Sequence, residues 1–201
     1  MVGLQSGGVA RSAGASAGSI VSGWPIELPG LRVADSQAAF SVLRVWRPTP
    51  EIGVALGHGF GVEWPIRPNT WSANAATTVL WLAPAEWAVV GMPHVEAAAR
   101  AGRACDAGLH DVVDLGEGRV RFDVSGPRAL DLLAKGCSLD LHPRAFAADA
   151  CAQTLLAQVP VLISAVPPQD DSTRWRLWSD ASLTGYLRNW LIDATLEYRR
   201  S

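Results

Sequence analysis

Residues 125–163, SGPRALDLLAKGCSLDLHPRAFAADACAQTLLAQVPVLI, decide how the second half of this 201-residue chain is read. Ser125 is placed to cap the next turn through its hydroxyl, and Pro127 falls in the first turn, where a missing N–H does no harm. Ala129, Leu130, Leu133 and Ala134 recur at helical spacing, with Arg128, Asp131 and Lys135 toward solvent, so a helix is expected over 126–135. Gly136 follows, the usual position for a left-handed stop. After a polar connection, Thr154 to Ile163 is apolar and β-branched, interrupted by Gln158 and Pro160, and suits two short strands. Packing accounts for the whole stretch.

Working outward, Phe40 to Arg47 alternates as a strand, and Thr49 caps a short helix with Pro50 first and Glu51 in its first turn, ending near Gly57. Residues 57–74 read as a long loop rich in Gly, Pro and Trp. Thr78 to Leu82 and Trp87 to Gly91 are strands around Ala83-Pro84-Ala85-Glu86, and Pro93 to Arg103 is a weak, Ala-rich helix. Asp111 to Leu115 and Arg119 to Val124 read as a hairpin turning on Gly116-Glu117-Gly118. A polar turn at 167–172 precedes a strand at 174–178. Leu183, Tyr186, Leu187, Trp190, Leu191 and Ala194 form the clearest amphipathic helix, capped by Ser179 or Asp180. Two successive β-α-β-β-α units predict an α+β protein built from two ferredoxin-like halves, at 24–115 and 116–201, sharing a core.

Net charge is −2, from 17 basic and 19 acidic residues, with no Lys/Arg-rich run. A nucleic-acid groove or an anionic membrane surface needs concentrated positive charge, so neither is expected. Residues 1–23 are Gly- and Ser-rich without a continuous apolar core, which predicts a disordered tail rather than a signal peptide or anchor. No segment reaches the roughly 20 apolar residues that span a bilayer. Cys105, Cys137 and Cys151 are odd in number and widely spaced, which suits reduced, buried thiols in the cytoplasm better than disulfides or zinc. Of nine tryptophans, Trp46, Trp81, Trp87, Trp175 and Trp190 read as core, while Trp64 and Trp71 lie in the Pro/Gly-rich stretch and read as interface candidates.

Possible catalytic groups have simpler explanations. Gly57-His58-Gly59-Phe60-Gly61 follows a helix instead of a strand, and so reads as a helix-terminating loop rather than a phosphate cradle. His58, His94, His110 and His142 share no metal-ligand spacing. His142 stands near Asp140 with no nucleophile adjacent, and Ser125 in V-S-G-P-R is outside any nucleophile elbow. Glu86 could serve as a lone base, yet its turn position favours local hydrogen bonding. Asp111, Asp114 and Asp123 alternate with apolar residues as solvated faces. No catalytic, cofactor-binding or metal residue is therefore assigned.

Several motifs in order resemble the sarcosine oxidase gamma subunit family over roughly residues 30–198. They are Val62-Glu63-Trp64-Pro65-Ile66-Arg67-Pro68-Asn69, Val79-Leu80-Trp81-Leu82-Ala83-Pro84-Ala85-Glu86-Trp87, and Asp123-Val124-Ser125-Gly126-Pro127-Arg128. The run Leu133 to Pro143, Cys151-Ala152-Gln153-Thr154 and the Trp-containing last helix complete the pattern. The resemblance implies a fold similar to the folate-binding domain of glycine-cleavage aminomethyltransferase. It also implies a non-catalytic role beside alpha, beta and delta subunits in a heterotetramer that oxidises sarcosine. FAD, covalent FMN, NAD and zinc would belong to those other subunits, tetrahydrofolate would take the one-carbon unit, and this chain would bind no cofactor. The alternative is a stand-alone folate-binding or folate-dependent transferase module. The Gly/Ser-rich start departs from the family, as does Trp178-Ser179-Asp180 where an Arg-Ser pair is expected.

Overall fold

The computed structural model describes residues 23–105, 108–166 and 174–200. The tail assigned to residues 1–23 lies outside them except for Gly23, and so does the polar turn at 167–172. Among the described residues the first elements are Ile26–Leu28 (β1) and Leu31–Ser36 (β2), which turn on Pro29-Gly30. Next come Phe40–Val45 (β3), helix Pro50–Phe60 (α1), Trp71–Ala73 (β4), Thr78–Ala83 (β5), Glu86–Val90 (β6), helix His94–Cys105 (α2) and His110–Asp114 (β7). The remainder is Arg119–Ser125 (β8), Ala129–Ala134 (α3), Cys151–Leu156 (β9), Val159–Val166 (β10), Arg174–Asp180 (β11) and Thr184–Ala194 (α4).

The strands form two antiparallel sheets, ordered β4-β5-β6-β3-β7 and β1-β2-β8-β11-β10-β9. In the first, β3, α1, β5, β6, α2 and β7 make a ferredoxin-like unit, with β3 between β6 and β7 and with β4 added at the edge. The second repeats the plan. There β8 lies beside β11, β10 lies beyond β11, and β9 is the added edge strand. The place that β7 fills in the first sheet is taken in the second by β2, from the other end of the chain. The fold is thus α+β with two ferredoxin-like units, the second completed by the N-terminal hairpin. Ile26–Ser36, grouped by sequence position with 24–115, hydrogen-bonds into the sheet that holds residues 119–180.

Burial follows the two-residue period of the strands. Leu43, Val79, Trp87 and Val89 face α1 and α2, where Leu56, Phe60, Ala97 and Ala101 close one core. Val33, Phe122, Ile163, Trp175 and Leu177 meet Leu132, Leu133, Leu187 and Leu191 in another. Between the sheets, Phe40, Val42, Leu80, Ala88 and Val90 pack on Cys151, Leu162 and Trp178. The two units therefore share a third core.

Several local readings change. Thr49 does cap α1, accepting from the Ile52 N–H, but the helix runs on to Phe60 because Leu56 and Phe60, four residues apart, bury on one face. Gly61, at φ 69°, is its left-handed cap. β7 and β8 do not form a hairpin, since Gly116-Glu117-Gly118 carries the chain from one sheet to the other. Ser125 does not cap α3, whose first turn has no side-chain cap; the Arg128 N–H instead donates to the Gly30 carbonyl at 3.1 Å. Gly136 is absent from the left-handed residues. Its requirement is space: a Cβ there would lie 2.6 Å from the Trp190 ring and 3.0 Å from the Ala157 nitrogen. The β9–β10 turn is tighter than a break at Gln158 implies, because Ala157 and Gln158 both take left-handed φ values, 50° and 68°, in a two-residue loop. Asp180 caps the turn leading into α4, accepting from the Ser182 N–H at 2.9 Å.

Candidate functional site

Where the sheets diverge around their shared core they leave two clefts, of about 460 and 690 Å3, with Trp178 in the wall of both. In the first, Arg44 on β3 is paired across the ladder with Glu86 on β6, and its Nε donates to the carboxylate at 2.8 Å. That hydrogen bond, with the adjoining negative charge, raises the Arg44 pKa. Gln153 lines the same cleft and donates to the Leu82 carbonyl at 2.7 Å. The carboxylate weighed as a base is thus held by a guanidinium. Asp123 and Arg176, opposite each other on β8 and β11, stand near the second cleft with Arg121.

The other residues singled out by sequence are dispersed. His58 is in the last turn of α1, the His94 Nδ1 lies 3.4 Å from the Ser41 hydroxyl, and the His110 Nδ1 lies 3.1 Å from the Gly108 carbonyl. Asp140 accepts the backbone N–H of His142, and the His142 Nδ1 accepts that of Arg144, so this pair shapes a turn. Gly57, His58, Gly59 and Phe60 belong to α1, which leaves no phosphate-type loop there. Asp114 accepts the Gly116 N–H at 2.9 Å. Asp123 is no freely solvated face residue, being bonded by Arg121 at 2.8 Å and Arg176 at 3.3 Å. Among the described residues no three His, Cys, Asp or Glu side chains gather as a metal-binding group.

The three cysteines are free and buried. Burial raises the Cys105 thiol and pushes that of Cys151 up to about 12. At pH 8 only about one Cys151 in ten thousand is then thiolate, the form that reacts. Alkylation of the native chain at pH 8 should spare Cys151, while labelling in denaturant should modify it; mass spectrometry after brief iodoacetamide treatment reads the difference. The linkage sign follows. Unfolded Cys151 loses its proton near pH 8.5, and the folded one retains it. Stability should therefore be unaffected below about 8.5 and decline as pH rises toward 12.

Two tryptophans change places relative to their sequence reading. Trp64 is buried, 6 % exposed, against Phe60 and Trp87. Trp46 lies just past the end of β3 and is 67 % exposed, beside Leu109 at 71 %. Trp87 and Trp175 are core as read, and Trp71, Trp81 and Trp190 are half-buried. A tie that the sequence does not announce joins the chain's two ends. Arg188 on α4 grips Asp35 on β2 through two hydrogen bonds, at 3.0 and 2.7 Å.

The model of the sarcosine oxidase gamma subunit family matches residues 47–197, three quarters of the chain. The chain belongs to the sarcosine oxidase gamma subunit family. Within it, the chain is 38% identical over 165 residues to the sarcosine oxidase subunit gamma of Corynebacterium sp. (strain P-1), covering 81% of this chain and 79% of that one. The fold of this gamma-family chain also matches a chain of the heterotetrameric sarcosine oxidase from Corynebacterium sp. U-96, solved with pyrrole 2-carboxylate. That match has a TM-score of 0.72 at 28% identity over 84% of this chain and 85% of the other. The glycine cleavage system aminomethyltransferase T from Bartonella henselae shares the fold at a TM-score of 0.57 and 13% identity, over 81% of this chain and 45% of that one. No helix among the described residues of this gamma-family chain is long and apolar enough to cross a membrane.

Proposed function

We propose that this chain is the non-catalytic gamma subunit of a heterotetrameric oxidase of the sarcosine oxidase type, working in the cytoplasm with alpha, beta and delta subunits. The assembly would demethylate sarcosine oxidatively to glycine, reducing oxygen to hydrogen peroxide and releasing the methyl carbon as formaldehyde or passing it to tetrahydrofolate. The observation that carries the reading is the family match from 47 to 197, reinforced by likeness across most of both chains to a chain of a heterotetrameric relative. FAD, FMN, NAD and zinc are placed on the other subunits. In support of that division, the Gly57–Gly61 run completes a helix and the carboxylate in the first cleft is paired.

Co-expression of the tagged chain with the other three subunits tests it. A flavin-coloured complex that oxidises sarcosine should co-purify, and the chain alone should be colourless and inactive. A stable monomer that ignores those subunits would count decisively against the reading. Calorimetry with tetrahydrofolate separates the folate-binding alternative, which requires micromolar binding by the isolated chain.

A further inference from the structure

Arg121, Asp123 and Arg176 occupy one face of the neighbouring strands β8 and β11. Both guanidiniums reach the same carboxylate through Nε, and among the described residues their terminal amino groups have no acceptor. One carboxylate against two arginines leaves one positive charge in excess, on side chains about a third exposed (29 % and 33 %). Nearby Arg32 is matched by Glu27 at 3.5 Å, and Arg121 and Arg176 share the one Asp123 carboxylate among the described residues. The excess stands against the sign of the whole molecule, whose net charge is −2.

The 690 Å3 cleft beside the trio has both Arg121 and Arg176 in its wall. Among the described residues its one wall carboxylate, Asp149, is taken by Arg67 at 2.5 Å. Guanidinium forks held through Nε present their remaining N–H donors in the geometry that a second carboxylate accepts.

We propose that this cleft receives an acidic segment of a partner subunit, with a carboxylate bridging the terminal nitrogens of Arg121 and Arg176. The proposal rests on the subunit reading above. A free carboxylate would meet only part-exposed side chains, where an isolated ion pair contributes little. A carboxylate carried by a docked subunit has already lost its translational freedom to the rest of the interface, so the same contact counts in full. The field of the cleft also steers that segment during encounter.

The test uses the co-expressed complex and follows how much of the chain is retained as NaCl is raised. R121E with R176E should cut retention at least tenfold at low salt and flatten its salt dependence, while R121K with R176K keeps part of it. D123N removes the internal competitor for both guanidiniums and should raise retention several-fold, even as it lowers the melting temperature of the chain. A merely structural trio makes the opposite prediction for D123N, retention falling in step with stability, and that result overturns the proposal. So does wild-type retention of the charge-reversed chain. If citrate raises the melting temperature of the full chain while the charge-reversed complex assembles normally, the cleft serves a small anion and the proposal fails. Failure of the unmodified chain to assemble defeats the subunit reading as well, whereas normal assembly of the charge-reversed chain defeats this inference alone.

Discussion

A chain beginning at Gln37, without β1 and β2, should fail to fold cooperatively. Ile26, Leu31 and Val33 are each at most 2 % exposed and pack in the core under α3 and α4. Burying a side chain of that size contributes about 1.5–3 kcal/mol, so the three together supply roughly 5–9 kcal/mol. That is comparable to the whole stability of an ordinary domain, about 5–15 kcal/mol. The deletion also frees the edge of β8 along Arg121 to Ser125, removes the Asp35 partner of Arg188, and uncovers the face of Phe122 on which Trp24 packs. Circular dichroism should show a broad, non-cooperative melt, with aggregation through the open edge. A sharp transition within a few degrees of the full chain would mean that β2 is dispensable and that the second unit closes without it.

Gly126→Ala should be the most damaging single-methyl change in the chain. Gly126 has φ 109°, and an added Cβ would meet the Gly30 carbonyl group, with the carbonyl carbon 2.7 Å away. Backbone strain at such a φ costs about 1–3 kcal/mol, and a collision with backbone cannot be relieved by a rotamer change. The β1–β2 turn must then move, loosening the Arg128-to-Gly30 hydrogen bond. We expect a loss of about 3–5 kcal/mol, which at roughly 2–4 °C per kcal/mol for a chain of this size lowers Tm by about 8–15 °C. Gly185→Ala is the control. That glycine lies in α4, and a methyl group added there would have nothing within 4 Å, so alanine should stabilise by about 0.5–1 kcal/mol. Equal effects at the two positions would remove the contact with Gly30 as the explanation.

Local periodicity made much of this fold legible. The spacing of Leu183 to Ala194 yields α4, Thr49-Pro50 marks the start of α1, and the strand-turn-strand at 78–91 matches β5 and β6. Composition misled where glycine stands for a loop, since Gly57 and Gly59 sit in a helix held by Leu56 and Phe60. The S-G-P sequence at 125–127 fits a helix cap and a close backbone contact equally well, and only the distant Gly30 separates the two. Ile26–Leu28 and Leu31–Ser36 are too short and too broken by Pro29-Gly30 to declare themselves as strands, and their partner lies about ninety residues away. Alternation placed Asp123 on a strand face and read it as solvated, where Arg121 and Arg176 in fact hold it. It could not show that β8 and β11 are neighbours, and that adjacency is what gathers the three charges. Trp46 illustrates the same limit, because alternation carried past the end of β3 assigns it to a core it does not enter.

The exchange of β2 for a C-terminal fourth strand also sets an order in time. Among the described strands β1 and β2 leave the ribosome first, but they have no sheet to join until β8 and β11 follow. The β3 to β7 unit can close in the interval from its own consecutive segments, as low sequence separation favours. The earliest strands made are thus the last to find their place, and for that interval Ile26, Leu31 and Val33 remain an apolar hairpin in search of an edge.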